Sequence, residues 1–197
     1  MAAAPMSEVG APIIAPVTQL GFVVRDIEAA LDHWVGVMGV RPFLFCTEGS
    51  GLDPRPTTYR GQEVRVQTRL AFGFVGDVQV ELIEQVNGAP SPYREFIDGG
   101  REGLQHLGYW IDDHEAACRR VEAAGYVAEY LIHGPNRPRP VVYYRSPSLL
   151  GPMLELIPPE LKRNRQAVLD MARNWSGGDP LVRHRTYGEF LTASGVS

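Results

Sequence analysis

Two stretches of this chain, 17-VTQLGFVVRDIEAALDHWVGVMGV-40 and 104-LQHLGYWIDDHEAACRRVEAAGYV-127, lie over one another without a gap. Leu20/Leu107, Gly21/Gly108, Asp26/Asp113, Glu28/Glu115, Ala29/Ala116, Ala30/Ala117 and Val40/Val127 are identical. Phe22/Tyr109 and Val24/Ile111 are similar, and further on 81-ELI-83 matches 155-ELI-157. The chain is therefore a tandem repeat of a strand–helix–strands unit. One such unit is too small to bury a core alone. Two of them, paired about a pseudo-twofold axis, would make one curved sheet with helices outside.

The local signals agree with that unit. Residues 17–24 are rich in β-formers. Asp26 caps a helix over 27–38, with Ile27, Ala30, Leu31, Trp34 and Met38 on one face and Gly39 as its stop. A strand is predicted over 40–46. A long Gly/Pro/Ser/Thr-rich loop over 47–62 is a lid candidate. Strands at 64–75 and 77–85 turn at 76-GD-77, and a short helix over 91–98 starts at Ser91 and Pro92. Beyond 158-PP-159 the repeat ends. A helix over 160–175 with Val168, Met171 and Trp175 on one stripe is followed by a turn-rich tail to residue 197. Residues 1–16 read as a small-residue, Pro-broken tail.

The repeat changes how His106 is read. It is equivalent to Gln19, just as Glu155 is equivalent to Glu81. Side chains alternate along a strand. If these four point into the cup, so do Val17, Gly21 and Val23; Leu104, Gly108 and Trp110; Gln79 and Ile83; and Met153 and Ile157. Apart from Gln79 this company is apolar, and two glutamates on such a face are costly unless paired or bound to a cation. One imidazole, two carboxylates and one amide oxygen on a single divalent ion would satisfy all four groups. Gln105, by the same alternation, faces the other way.

Composition excludes several classes. A formal charge of −4 and no basic cluster leave no footprint for nucleic acid, and no polybasic run addresses an anionic membrane. The longest apolar runs fall short of a membrane span. The two cysteines, Cys46 and Cys118, read as separate thiols of a reducing compartment, so the cytoplasm is the expected location.

The repeat, with 100-GREGLQHLGYWIDDHEAA-117 and 150-LGPMLELIPP-159, resembles the vicinal-oxygen-chelate superfamily of glyoxalase I, methylmalonyl-CoA epimerase, extradiol dioxygenases and bleomycin-resistance proteins. The stretches 69-RLAFGFVGDVQVELIE-84 and 91-SPYREFIDGGREGLQH-106 are most similar to the methylmalonyl-CoA epimerase-like branch. This implies an α+β fold of two tandem βαβββ modules, about 17–88 and 104–158, forming a curved mixed-sheet cup, with 159–197 as a C-terminal helical extension. It places the ligands of one divalent metal on Gln19, Glu81, His106 and Glu155, with zinc first and cobalt, nickel or manganese as alternatives. Gln19 replaces the epimerases' histidine, and the set is similar to that of zinc-type glyoxalase I. The glutathione-binding arginine of glyoxalase I corresponds to Val23 here.

The implied chemistry is an isomerase, epimerase or lyase reaction that removes a proton alpha to a carbonyl. Glu155 and Glu81 are the acid–base candidates, Trp110 and Met153 the substrate contacts, and the substrate is a small to medium, largely apolar molecule. A homodimer is expected. The alternative is a non-catalytic binding protein of the same fold.

Overall fold

The computed structural model describes residues 14, 16–50, 57–134, 138–148 and 151–196. The first module comprises β1 (Gln19–Val23), α1 (Ile27–Asp32), β2 (Phe43–Cys46), β3 (Thr57–Tyr59), β4 (Gln62–Val64), β5 (Thr68–Val75) and β6 (Val78–Gln85). α2 (Pro92–Asp98) connects it to β7 (Gly103–Trp110), α3 (His114–Ala123), β8 (Val127–Ile132), β9 (Val141–Arg145) and β10 (Met153–Ile157). The extension adds α4 (Lys162–Asn174), β11 (Leu181–His184) and α5 (Tyr187–Ala193). No described helix is long and apolar enough to cross a membrane.

The strands form one curled sheet in the order β11-β2-β5-β6-β1-β7-β10-β9-β8-β3-β4. At its centre β1 and β7 run antiparallel, and each is flanked by a parallel strand of its own module, β6 or β10. This is the pseudo-twofold that the repeat implied. The repeated aspartates cap both outer helices. Asp26 accepts from the backbone N–H of Glu28 and Ala29, and Asp113 accepts from that of Ala116.

The two faces of the sheet are distinct. Ile27 and Leu31 of α1 pack on Val80 and Leu82, while Ala117 and Val121 of α3 pack on Leu154 and Leu156. These alternate along the strands with Val23, Ile83 and Ile157, which share the concave side with Tyr93, Tyr143, Val168 and Phe190. The two repeat helices thus lie outside, as expected, whereas α2, α4 and α5 supply residues to the interior of the cup.

Several local expectations shift. The first helix widens into a π-turn over His33–Val37, which brings Val35 into the outer cluster and leaves Met38 exposed. Met38 is therefore off the buried stripe. Gly39, at a φ of 70°, ends the helix as predicted. The expected loop over 47–62 is partly a β3–β4 hairpin, and β3 pairs with β8 of the other module. Residues 51–56, where the rest of the lid candidate lies, are outside the described residues. Of the predicted tail, residues 1–13 and 15 are likewise outside them, while Ile14 is buried beside Tyr109 and Ile111.

The turn-rich C-terminal tail also carries more structure than its composition suggested. β11 adds to β2 in parallel, and Thr186 with Glu189 forms a capping box at the start of α5.

Candidate metal centre

The strand register builds the centre from two crossed rows. One runs Glu81, Gly21, His106, Met153 across β6, β1, β7 and β10; the other runs Gln79, Gln19, Gly108, Glu155 across the same strands. The pseudo-twofold exchanges the rows, so each module places a glycine directly opposite the other's ligand-bearing residue. A Cβ on Gly21 would lie 1.8 Å from His106 Cε1, and one on Gly108 would lie 2.2 Å from Gln19 Oε1. The repeated Leu-Gly pair is thus explained by close approach: the imidazole and the amide lie flat over the facing glycines.

The four predicted ligands meet. His106 Nε2 is 3.4 Å from Glu81 Oε2 and 3.4 Å from Glu155 Oε2, and candidate donor atoms of all three residues lie within 4.8 Å of one another. Ligand atoms about 2.1 Å from a zinc ion stand about 3.4 Å apart in a tetrahedron, so the spacing suits a divalent ion. Gln19 Nε2 donates to Glu81 Oε2 at 3.0 Å and is 3.3 Å from Gln79 Oε1, which orients the amide. Its Oε1 is buried and has no hydrogen-bond partner; nor have His106 Nε2 and Glu155 Oε2. Buried polar atoms are nearly always satisfied, so His106 Nε2 and Glu155 Oε2, both orphaned and 3.4 Å apart beside Glu81, fit a bound cation.

The charges agree. Burial pushes the His106 imidazole down, but the Glu155 and Glu81 carboxylates 3.4 Å from its Nε2 outweigh it, and its pKa rises to about 9. Glu81 is raised by burial, with the neighbouring His106 opposing. Two buried carboxylates draw positive charge into this place, as a proton on His106 or as a metal.

Gln105 was missed as part of the centre. The β1–β7 register jumps from Gly21↔His106 to Phe22↔Leu104, so Gln105 is left unopposed at a bulge. Strict alternation fails there. Gln105 is buried and its Oε1 is 2.8 Å from His106 Nδ1, whereas Leu104, expected in the cup, is 43% exposed. The Gln105 amide N–H in turn donates to Met153 Sδ at 3.0 Å. An acceptor on Nδ1 holds a proton there and turns Nε2 toward the carboxylates, where it would meet either a second proton or a metal. Replacing Gln105 with leucine should weaken metal binding about ten- to a hundredfold at unchanged fold, measured by competition with a chelating dye; an unchanged affinity would deny it this role.

A cavity of about 130 Å³ opens on the centre. Gln19, Glu81, Glu155 and the predicted Trp110 line it, together with Arg165 from α4, which sequence reasoning did not single out. Met153 is placed differently. It borders a separate cavity with Gln105 and Arg145, so the structure does not bring it to the wall occupied by the glutamates. The extension closes the cup, since Leu161, Asn164 and Tyr187 also line the cavity.

Comparison with known proteins agrees with this architecture. No curated protein matches the chain by sequence. Among solved structures, a methylmalonyl-CoA epimerase from Mycobacterium tuberculosis is 19% identical with a TM-score of 0.52, over 77% of this chain and 92% of that one. A Streptomyces coelicolor methylmalonyl-CoA epimerase in complex with 2-nitronate-propionyl-CoA is 15% identical with a TM-score of 0.52, over 74% and 94%. A mutant 4-hydroxymandelate synthase from Streptomyces coelicolor is 14% identical with a TM-score of 0.54, over 74% of this chain and 39% of that one. These likenesses show a shared fold. The sequence model of the glyoxalase/bleomycin resistance protein/dioxygenase superfamily matches residues 18–143, most of the chain. With its two modules joined through β1 and β7 and its ligand-type residues at their crossing, the chain belongs to that superfamily.

Proposed function

We propose that this protein is a divalent-metal-dependent isomerase or epimerase that moves a proton alpha to a carbonyl of a small molecule. The observation that carries the reading is the meeting of His106 Nε2 and Glu155 Oε2, both buried, without a hydrogen-bond partner and 3.4 Å apart, beside Glu81, whose carboxylate the Gln19 amide contacts. Gln19, Glu81, His106 and Glu155 would hold the ion, with zinc the first candidate for this donor set. A bound divalent ion would supply Lewis acidity to a substrate carbonyl oxygen and so acidify the neighbouring C–H.

The chain's own groups do the rest. Glu81 and Glu155 come from strands on opposite sides of the β1–β7 pair and both line the cavity. The Gln19 amide restrains Glu81, whereas Glu155 Oε2 has no donor. Glu155 is therefore the better proton acceptor, and Glu81 is available to return a proton from the other side. Leu70, Phe72 and Ile157 make the cavity wall apolar, which keeps bulk water from competing for the proton. Two carboxylates and one histidine depart from the two-histidine, one-carboxylate set of non-haem iron oxygenases, which favours proton chemistry over oxygen chemistry.

The test is exchange of α-protons for deuterium, followed by NMR over a panel of 2-substituted thioesters and 2-oxo acids. Exchange that requires metal and stops on chelation is expected. Exchange that survives complete chelation would overturn the reading. Stoichiometric metal with no exchange across the panel would favour the non-catalytic binding protein.

A further inference from the structure

The same cavity contains two buried donors that the proposed metal chemistry does not use. Among the described residues six buried side-chain polar atoms lack a hydrogen-bond partner; besides the three in the metal centre and Tyr59 Oη, they are Arg165 Nε and Trp110 Nε1. Both residues line the cavity that Glu81 and Glu155 face. The Arg165 guanidinium is fixed in place. Its carbon stands 5.3 Å from the Phe74 ring centre and 5.4 Å from that of Trp110, and one terminal nitrogen donates to the backbone carbonyl of Asp77. The Asp77 carboxylate is paired with Arg173. No carboxylate among the described residues forms an ion pair with Arg165.

A buried N–H without an acceptor is costly, more so on a charged group. Two such donors, on residues that line one cavity and stack against each other, call for an acceptor, and beside a guanidinium a carboxylate suits best. The Arg165 guanidinium also brings a fixed positive charge to this wall, for an anionic group to balance. The substrate reading builds on the proposed metal chemistry; the orphaned donors do not.

We infer that Arg165 and Trp110 bind a carboxylate group of the substrate, so that the substrate class is a small carbonyl compound that also bears a carboxylate. Arg165 lies in α4, outside both repeated modules. The C-terminal extension would therefore set specificity as well as closing the cup, and the largely apolar substrate expected from the sequence would carry one anionic group.

The probes are 2-oxoglutarate and 2-oxoadipate, each compared with its ω-amide, titrated calorimetrically into metal-reconstituted protein. At least one acid should bind about tenfold or more tighter than its amide. Arg165→Gln should bring that ratio below about twofold at unchanged metal content, and Arg165→Lys should keep part of it. Trp110→Phe, which retains the ring and removes the N–H, should lower it as well, and provides a second variant should Arg165→Gln fail to fold. A wild-type ratio near one for both pairs, or a ratio indifferent to Arg165→Gln and Trp110→Phe, would overturn the inference. The two readings separate cleanly. Protein that takes up no metal but keeps an Arg165-dependent preference would sink the metal reading alone. Metal-loaded protein without the preference would sink the arginine site alone.

Discussion

Protein with Glu155→Ala should purify without its metal and lose α-proton exchange by about a thousandfold or more. Glu155 contributes one of two carboxylates at the centre among the described residues, and its Oε2 has no hydrogen-bond partner there. Its removal takes away a proposed ligand together with the proposed proton acceptor. The metal-free variant should nevertheless melt close to the metal-free wild type. The side chain is buried without a hydrogen bond to that oxygen, so its loss removes a desolvation cost that partly offsets the lost packing. Elemental analysis and thermal melts in chelator check both halves. Full metal occupancy in the variant would remove Glu155 from the ligand set, and an unfolded variant would make the residue structural.

Gly21→Ala should be the most damaging single-methyl change in the sheet. The added Cβ would lie 1.8 Å from His106 Cε1 and 2.0 Å from His106 Nε2. The imidazole cannot step aside. It is fully buried, tied to Gln105 through Nδ1, and edge-on to Tyr143 with the ring centres 5.0 Å apart. Either the β1–β7 pairing opens or the ring leaves the centre. Overpacking of this severity costs about 3 kcal/mol or more, a fall in Tm of about 6–12 °C for a chain of this size. Metal affinity should be lost even in molecules that fold. Gly108→Ala should act in the same sense through Gln19, whose Oε1 would be 2.2 Å away. Gly36→Ala is the control: its Cβ would meet nothing within 4 Å, and the helix should tolerate or welcome it. Calorimetric melts of the three variants decide the matter, and a Gly21→Ala protein as stable as the Gly36→Ala protein would contradict the crossed-row geometry.

What the sequence by itself determined about this protein was set by repetition and period. The internal match between 17–40 and 104–127 implied two modules about a pseudo-twofold, and the two-residue period of strands put Gln19, Glu81, His106 and Glu155 on one face with Val23, Ile83 and Ile157. These are local properties of the chain, copied twice, so they survive without knowledge of any distant contact. The tertiary structure decided whatever depends on a departure from that period or on partners far along the chain. A bulge opposite Gly21 and Phe22 turns Gln105 onto His106, and a π-turn moves Met38 out of the buried stripe. Neither leaves a mark that the alternation of apolar and polar residues can show. The tail was misjudged for the same reason. β11 is ordered by pairing with β2, more than a hundred residues earlier, although the Thr186–Glu189 capping box of α5 was readable. Arg165 could not be singled out from a polar helix such as 160-ELKRNRQAVLDMARNW-175, because its place on the cavity wall follows from packing against the Phe74 and Trp110 rings. Candidate ligand residues are legible where symmetry repeats them; the residues that cover them are placed by packing, which the order of amino acids alone does not display.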